Sequence, residues 1–205
     1  MKQPVLIVIA GPNGSGKTSI TNKILKHEWI ENCLYINPDN IANDTFGDWN
    51  SVEAVLNAAN LATKMREECL NKDESLIFET VLSASDKIDF IKRAKGKGYF
   101  IRLFFVGTES PTINAGRIAL RVMEGGHDVP ITKIISRYSK SISNSCMVAK
   151  MVDRAYFYDN SVDYEEPKLL FRLVDGQITK EYGVKNNWSL PIIQFFNGYD
   201  AINTL

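Results

Sequence analysis

Hydrophobic residues along this chain fall into short continuous runs that alternate with longer segments of helical spacing. The continuous runs at residues 4–10, 33–37, 75–79 and 99–107 predict four strands. Helical spacing or helix end signals at residues 17–27, 51–70, 85–97, 110–124 and 131–156 predict five helices. Strands that alternate with crossover helices favour an α/β fold, in which helices flank both faces of a mostly parallel sheet.

The C-terminal part of the chain carries a different pattern. Residues 168–182 contain two strand-like runs around Asp175-Gly176, which predict a β-hairpin. Residues 188–205 are apolar enough to pack onto the rest, although no element is assigned to them. A chain of 205 residues is expected to form one domain over residues 1–205, with the hairpin and tail at about residues 165–205.

Charge and cysteine content exclude several classes of protein. Lys plus Arg and Asp plus Glu both number 24, so the net charge is zero and argues against binding of nucleic acid by bulk charge. Three cysteines without a CxxC pair indicate neither a zinc ribbon nor a disulfide framework. No signal-peptide pattern and no apolar run near the ~20 residues of a membrane span are found, so we expect a cytoplasmic protein without membrane contact.

The segment GPNGSGKT, residues 11–18, matches the phosphate-binding P-loop pattern G-x-x-x-x-G-K-[ST] between a predicted strand and a predicted helix. Glycines let the backbone N–H groups approach phosphate oxygens, and the helix N-terminus favours the anion. Lys17 would add a charge at the β- and γ-phosphates, and Thr18 would offer a hydroxyl to Mg²⁺. The predicted nucleotide site comprises Gly11, Pro12, Asn13, Gly14, Ser15, Gly16, Lys17 and Thr18.

Two carboxylates follow strands at the same predicted sheet edge. A chain of this size, without an N-K-x-D guanine motif, favours a small-molecule kinase, which needs an acid near the acceptor hydroxyl. Asp39 after the second strand is the candidate base, or else a turn or helix-capping residue; Asp44 and Asp48 are weaker candidates in a polar loop. Glu79 could orient the acceptor, hold Mg²⁺ through water, or simply be a solvated strand-end residue.

A lid over the phosphates is predicted at about residues 110–140. Arg117 and Arg121 are spaced i, i+4 on one helix, Arg137 lies on the next helix, and Gly125-Gly126 separate the two. Guanidinium groups bind phosphate oxygens bidentately, although each of these arginines could also be a solvated helix residue. Thr108 follows the fourth strand and could touch the substrate or begin the turn.

Four segments together resemble the zeta-toxin family of P-loop kinases, and specifically its short bacterial branch, also labelled predicted ABC-type ATPase. They are GPNGSGKT, INPDNIA (36–42), FETVLS (78–83) and RIALRVMEGGHDVP (117–130), and the resemblance covers roughly residues 4–175. The P-loop is shared by many proteins, whereas the ordered set that ends in R-x-x-x-R-V-x-x-G-G-H-x-V-P is far more specific.

The resemblance implies a three-layer P-loop kinase fold, ATP and Mg²⁺ as cofactors, and phosphorylation of the amino-sugar 3′-hydroxyl of UDP-N-acetylglucosamine. By motif, Lys17 would hold the phosphates, Asp39 would be the base, and Glu79 and Thr108 would contact the acceptor sugar. Arg121, with Arg137, would steady the γ-phosphoryl group, and Arg117 has only its helical register to support it. A protein antitoxin partner is implied by the toxin analogy alone.

The chain also departs from the well-studied toxins. It is shorter and lacks their long C-terminal extension, and related effectors phosphorylate other acceptors, including NAD. Two further hypotheses therefore stay open: a polynucleotide 5′-kinase, which zero net charge disfavours, and a nucleotide-switched binding module with little catalysis.

Overall fold

A seven-stranded mixed sheet organises the structure, a computed structural model that describes residues 3–27, 30, 32–47, 50–183 and 185–198. The strands are β1 (Val5–Ala10), β2 (Leu34–Ile36), β3 (Leu76–Thr80), β4 (Phe100–Gly107), β5 (Arg154–Asp159), β6 (Lys168–Val174) and β7 (Gln177–Glu181). Their order is β2-β3-β1-β4-β5-β6-β7, in which the first five are parallel and the last two antiparallel. The mostly parallel α/β sheet and the C-terminal hairpin are therefore confirmed.

Seven helices surround this sheet in the described part of the chain. They are α1 (Lys17–Ile24), α2 (Pro38–Phe46), α3 (Val52–Lys72), α4 (Ser85–Gly96), α5 (Pro111–Met123), α6 (Ile131–Met151) and α7 (Leu190–Phe196). The local sequence determines where several helices begin. The Ser51 hydroxyl accepts a hydrogen bond from the Ala54 N–H at the start of α3, and Pro111 occupies the first turn of α5.

Alternate residues of the central strands point into two apolar layers. Leu6 and Val8 of β1 belong to the thicker layer, which α3, α4, α6 and α7 cover. Ile7 and Ile9 belong to the thinner layer, where α1 contributes Ile20 and Ile24. Because all five residues of β1 from Leu6 to Ala10 have no exposed surface, the strand places the P-loop on a rigid base.

Strand β5 corrects the predicted helix over residues 131–156. Helix α6 ends at Met151 because Val152 has extended backbone angles, φ −92° and ψ 157°. Beyond it the period is two: Ala155 and Phe157 are fully buried in the thicker layer, whereas Tyr156 packs on the other face. The helical prediction is wrong for residues 154–156, and the ring of Phe157 packs in the core.

Helix α2 corrects a second prediction, the polar loop after the second strand. Asn37 caps the helix by accepting a hydrogen bond from the Asp39 N–H at 2.9 Å, and Pro38 occupies the first turn. Asp44 therefore lies on a helix rather than in a loop, and Asp48 lies outside the described residues.

Residues 188–198 pack against the sheet, as the sequence predicts, and the rest of the predicted segment, residues 199–205, lies outside the described residues. Trp188 is buried against Gly107, and its indole N–H donates to Asp159 Oδ1 at 2.9 Å. Helix α7 buries Ile192 and Ile193 in the thicker layer. Within the described ranges, no helix combines the length and the hydropathy needed to cross a bilayer.

Candidate active site

The P-loop connects β1 to α1 at the carboxyl edge of the parallel strands. Gly16 precedes α1 with φ 86°, a left-handed conformation that a residue with a Cβ rarely adopts. A Cβ at Gly16 would lie 2.1 Å from Asn160 Nδ2, so the loop and the end of β5 approach each other closely. The amide of Asn160 in turn donates to Ser15 O at 2.9 Å, which fixes the loop against the sheet.

Lys17 lies inside the curve of this loop. Its ammonium group donates to Gly11 O at 3.0 Å and to Pro12 O at 3.1 Å. Burial lowers the pKa of Lys17, whereas the charges of Glu79 and Asp39 raise it and the charge of Arg121 lowers it. The predicted lysine, both predicted carboxylates and one predicted arginine therefore act on one another at the same sheet edge.

Three buried polar atoms around the loop have no hydrogen-bond partner among the described residues: Asn13 Oδ1, Ser15 Oγ and Asn114 Nδ2. Asn114 belongs to the first turn of α5, and its backbone oxygen would lie 2.6 Å from a Cβ at Gly14. Two of the three atoms can donate hydrogen bonds, as the oxygens of a phosphate require. The residues present therefore fit a phosphate group at this loop.

Among the described residues, Glu79, near the end of β3, accepts hydrogen bonds at one carboxylate oxygen only. Its Oε1 accepts hydrogen bonds from the Thr21 hydroxyl at 2.6 Å and from the Tyr35 hydroxyl at 2.7 Å. These two donors orient the carboxylate, so that its other oxygen, Oε2, points away from Thr21 and Tyr35. Burial and the negative charge of Glu79 raise the pKa of Tyr35, so this hydroxyl stays protonated and donates.

Asn37 links the backbone of Asp39 to the Glu79 carboxylate through Tyr35. Its Oδ1 accepts from the Asp39 N–H, and its Nδ2 donates to the Tyr35 hydroxyl oxygen at 3.1 Å. A chain of hydrogen bonds therefore runs from the first turn of α2 through Asn37 and Tyr35 to Glu79. Sequence analysis missed Tyr35 and Asn37; Asn37 lies beside Pro38-Asp39 within INPDNIA, a local signal that could have suggested it.

The predicted lid residues separate into two groups. Arg121 is exposed on α5, and its guanidinium donates to His127 O at 3.1 Å in the connection between α5 and α6. Arg137 lies partly exposed on α6. Arg117 instead contacts the segment after β5: its Nε donates to Asp163 Oδ1 at 2.7 Å and its Nη1 donates to Asn160 O at 2.8 Å. The structure therefore gives Arg117 two protein partners.

The α5–α6 connection also reaches the opposite side of the site. The Asp128 N–H donates to Asn50 Oδ1 at 3.0 Å, in the connection between α2 and α3. Ile118, Val129 and Ile134 form a small apolar cluster that joins α5 to α6. These contacts join the predicted lid region to the connection that follows α2, the helix that carries Asp39 at its start.

Two predicted threonines have very different surroundings. Thr18 is exposed on the first turn of α1, where its hydroxyl can be reached. Thr108 has no exposed surface; its hydroxyl donates to Asn114 Oδ1 at 2.6 Å and its carbonyl accepts from Tyr138. Thr108 therefore connects β4 to α5 and α6, and its buried hydroxyl, predicted to contact the acceptor, is bound to Asn114 instead. Among the described residues, no group of three or more His, Cys, Asp or Glu side chains could hold a metal ion.

A P-loop at this edge of a five-strand parallel arrangement, faced by carboxylates from neighbouring strands, defines the class: the protein is a P-loop kinase. The sequence pattern of the family described as Zeta toxin matches residues 1–165, so the chain belongs to that family. A relative from Haemophilus influenzae, named only as an uncharacterized protein, is 27% identical over 132 residues, which cover 64% of this chain and 91% of the relative.

Solved structures share the fold. The PezAT chromosomal toxin-antitoxin system of Streptococcus pneumoniae matches with a TM-score of 0.63 at 16% identity, covering 97% of this chain and 86% of that chain. The AvrRxo1-ORF1:AvrRxo1-ORF2 complex with sulphate ions gives 0.69 at 20% identity, covering 99% and 66%. The same complex with ATP gives 0.67 at 19% identity, also covering 99% and 66%.

Proposed function

We propose that this protein transfers the γ-phosphoryl group of ATP to a hydroxyl of a small molecule, and that the acceptor is a UDP-N-acetyl sugar. One observation carries the proposal: Glu79 of β3 accepts a hydrogen bond at 2.6 Å from Thr21 of α1, the helix that begins at the P-loop Lys17. The charges of Glu79 and Asp39, which come from two other segments at the same sheet edge, both raise the pKa of Lys17. Family membership and the structural likeness to a complex with ATP support the choice of nucleotide.

Asp39 is the proposed general base. It is exposed in the first turn of α2, where its carboxylate can accept the acceptor's hydroxyl proton. The hydroxyl oxygen then bonds to the γ-phosphorus, the bond from phosphorus to the bridging β-phosphate oxygen breaks, and ADP leaves. Lys17 and the N–H groups at the start of α1 hold the phosphates during this exchange.

Thr18 and Glu79 are the proposed contacts to Mg²⁺, Thr18 through its hydroxyl and Glu79 through a water molecule. Bound Mg²⁺ would neutralise phosphate charge. The oriented Glu79 carboxylate alternatively suits a hydrogen bond to the acceptor sugar, which the family resemblance implies. Both roles use the oxygen that Thr21 and Tyr35 leave available.

Arg121 and Arg137 are the proposed lid cations. The charge of Arg121 already lowers the pKa of Lys17, and we expect the guanidinium to exchange His127 O for the γ-phosphate when the lid closes. Closure of the lid would exclude water, which limits hydrolysis of ATP. Arg117, held by Asp163 and Asn160, would support the nucleotide site through the loop after β5 rather than through the transferred phosphoryl group.

The test of the base uses Asp39→Asn with Asp44→Asn as its control, because both residues are exposed on α2. We expect Asp39→Asn to bind ATP normally and to lose phosphoryl transfer by about 10²–10⁴-fold, while the control keeps both. Calorimetry measures binding and ADP release measures turnover. Loss of ATP binding together with turnover would contradict the role of Asp39 as base.

The acceptor is tested by mass spectrometry. The protein is incubated with ATP, Mg²⁺ and either UDP-N-acetylglucosamine, NAD or an oligonucleotide with a free 5′-hydroxyl. A phosphate added to the UDP-sugar alone supports the proposed acceptor, and a phosphate added only to another compound replaces it. ATP binding without transfer to any acceptor, including a metabolite extract, would favour a nucleotide-switched binding module.

We also propose a protein antitoxin as partner, because the pneumococcal structure of the same fold belongs to a toxin-antitoxin system. If the protein is a toxin of this kind, induced expression should arrest growth of a bacterial host, and Asp39→Asn should relieve the arrest. Equal growth with both proteins at matched expression would argue against the toxin role.

A further inference from the structure

Four cations occupy one region of the sheet face that α1 covers only in part. Arg102 of β4 lies directly opposite Arg154 of β5, and Arg172 of β6 lies directly opposite Lys180 of β7. Arg172 is also opposite Tyr156, which packs with the thinner layer. Their neighbours in sequence, such as Leu103 and Leu173, are buried on the other side. We name Arg102, Arg154, Arg172 and Lys180 the basic face.

These positions form two like-charged cross-strand pairs, which destabilise a sheet when nothing neutralises them. Asp175 Oδ2 lies 3.8 Å from Arg154 Nη1. Within the described residues, no carboxylate lies within 4.0 Å of Arg172 or Lys180. Burial lowers the pKa of Arg102, Tyr156 and Asp153 raise it, and the charge of Arg154 lowers it. The positive charge that the described carboxylates leave unpaired is therefore that of Arg172 and Lys180, at the β6–β7 end of the basic face.

The aromatic rings beside these cations already have partners within the protein. The Arg102 guanidinium lies 4.6 Å from the centre of the Phe100 ring, and the Arg154 guanidinium lies 5.7 Å from it. Tyr156 stacks on Phe104 with ring centres 4.8 Å apart. Stacking of nucleic-acid bases needs available ring faces, whereas carboxylates need only the guanidinium and ammonium groups. The chemistry therefore favours carboxylates over bases.

We propose that the basic face binds an acidic segment of a partner protein. Four strands about 4.8 Å apart give the face a width of about 14 Å, which about five extended residues span. Aspartate or glutamate side chains of that segment would pair with the guanidinium groups and relieve the repulsion across β4–β5 and β6–β7. This interaction uses neither the P-loop nor phosphoryl transfer.

Binding is tested with three fluorescein-labelled probes: a peptide of about 12 alternating Glu and Ser residues, its Gln-Ser counterpart, and an oligothymidine of similar length. Anisotropy is measured at about 50 and 300 mM salt. We expect the Glu-Ser peptide to bind at low salt, and Arg172→Glu with Lys180→Glu to weaken binding at least about 10-fold. The matched control, Lys64→Glu with Lys92→Glu, makes the same charge change on α3 and α4, which cover the other face.

Unchanged peptide binding in the control supports the proposal. Equal weakening in both double variants, tighter binding of oligothymidine than of the Glu-Ser peptide, or no peptide binding at low salt would each overturn it. A second measurement needs no probe: Arg172→Gln should raise the melting temperature, by up to about 4 °C, because it removes one cross-strand repulsion. A lower melting temperature would contradict the repulsion on which the proposal rests.

Discussion

Gly16 shows how one missing side chain shapes the nucleotide site. Alanine at this position would adopt an unfavourable left-handed conformation, which costs about 1–2 kcal/mol, and its Cβ would meet the Asn160 amide. We expect Gly16→Ala to displace Asn160 from Ser15, to lower the melting temperature and to weaken ATP binding. Calorimetry and thermal denaturation measure both effects.

Gly116 supplies the matched control for that substitution. It lies in α5, and a Cβ there would meet nothing within 4 Å. Gly116→Ala should therefore stabilise the protein by about 0.5–1 kcal/mol through helix propensity, with ATP binding unchanged. If both alanines had the same effect, the contact between the P-loop and Asn160 would not be the cause.

Tyr35 is the proposed positioning residue for Glu79. Tyr35→Phe removes one of the two hydroxyl donors to Glu79 Oε1. A hydrogen bond to a charged group is worth about 1.5–3 kcal/mol, so turnover should fall at least about 10-fold. The KM for ATP should stay constant, and steady-state kinetics with each substrate varied in turn separates the two.

The control for this effect is Tyr182→Phe. This exposed tyrosine follows β7, at the opposite edge of the sheet from Tyr35. It should leave turnover unchanged. A Tyr35→Phe variant that weakens ATP binding and keeps its turnover would place Glu79 at the nucleotide rather than at the acceptor.

The residues of the P-loop could be found from sequence because the pattern is contiguous. Tyr35 and Asn160 could not be assigned roles, since their partners Glu79 and Ser15 are 44 and 145 positions away. Arg117 shows the limit of helical register. Register correctly placed it one turn from Arg121 and so suggested a phosphate contact, but register does not reveal that Asp163 lies within hydrogen-bond distance.

At the scale of secondary-structure elements, the start of α2 controls the placement of Asp39. Asn37→Ala removes the cap, so the protein should lose about 1 kcal/mol of stability, and turnover should fall. Asn37→Asp keeps an acceptor for the Asp39 N–H but cannot donate to Tyr35. We expect it to restore stability while turnover stays low.

Chemical denaturation and steady-state rates measure the two properties of the Asn37 variants. Recovery of full turnover in Asn37→Asp would show that the cap alone matters and that the hydrogen bond to Tyr35 contributes nothing.

The sequence predicted most elements because their apolar periods are long and clearly bounded. It missed α2 because Asn37-Pro38-Asp39 is as typical of a turn as of a helix start, and only one α2 residue, Ala42, is buried. It missed β5 because no Gly or Pro separates it from α6, and only tertiary contact selects the strand for residues 154–159.

For the whole molecule, buried hydroxyl and thiol groups predict loss of stability at high pH. Burial raises the pKa of Tyr99 and of Tyr138 to about 12, and that of Cys146 to about 11. These groups are neutral in the folded protein. The stability that they contribute is therefore fully present below their pKa values in the unfolded state, and it is lost as pH rises through their pKa values in the folded state. The melting temperature should therefore fall progressively above about pH 9.

Tyr99 gives the specific test of that dependence. Its single hydroxyl proton is shared between Cys69 O and Glu74 O, both 3.0 Å away, and ionisation would end this interaction. Tyr99→Phe should be less stable at pH 7 and should lose less stability between about pH 9 and 11. Tyr164→Phe, at a fully exposed tyrosine, should retain the wild-type dependence.

Strand β2 has only three residues and lies at one end of the sheet, hydrogen-bonded to β3 alone. Tyr35 belongs to it, and Asn37 follows it directly. Transient fraying of this edge would break the Tyr35 hydrogen bond to Glu79 and disturb the start of α2, which carries Asp39, while the interior stays intact. Heat should thus inactivate the enzyme several degrees before it melts, and amide hydrogen exchange should be fastest at residues 34–36 among the parallel strands.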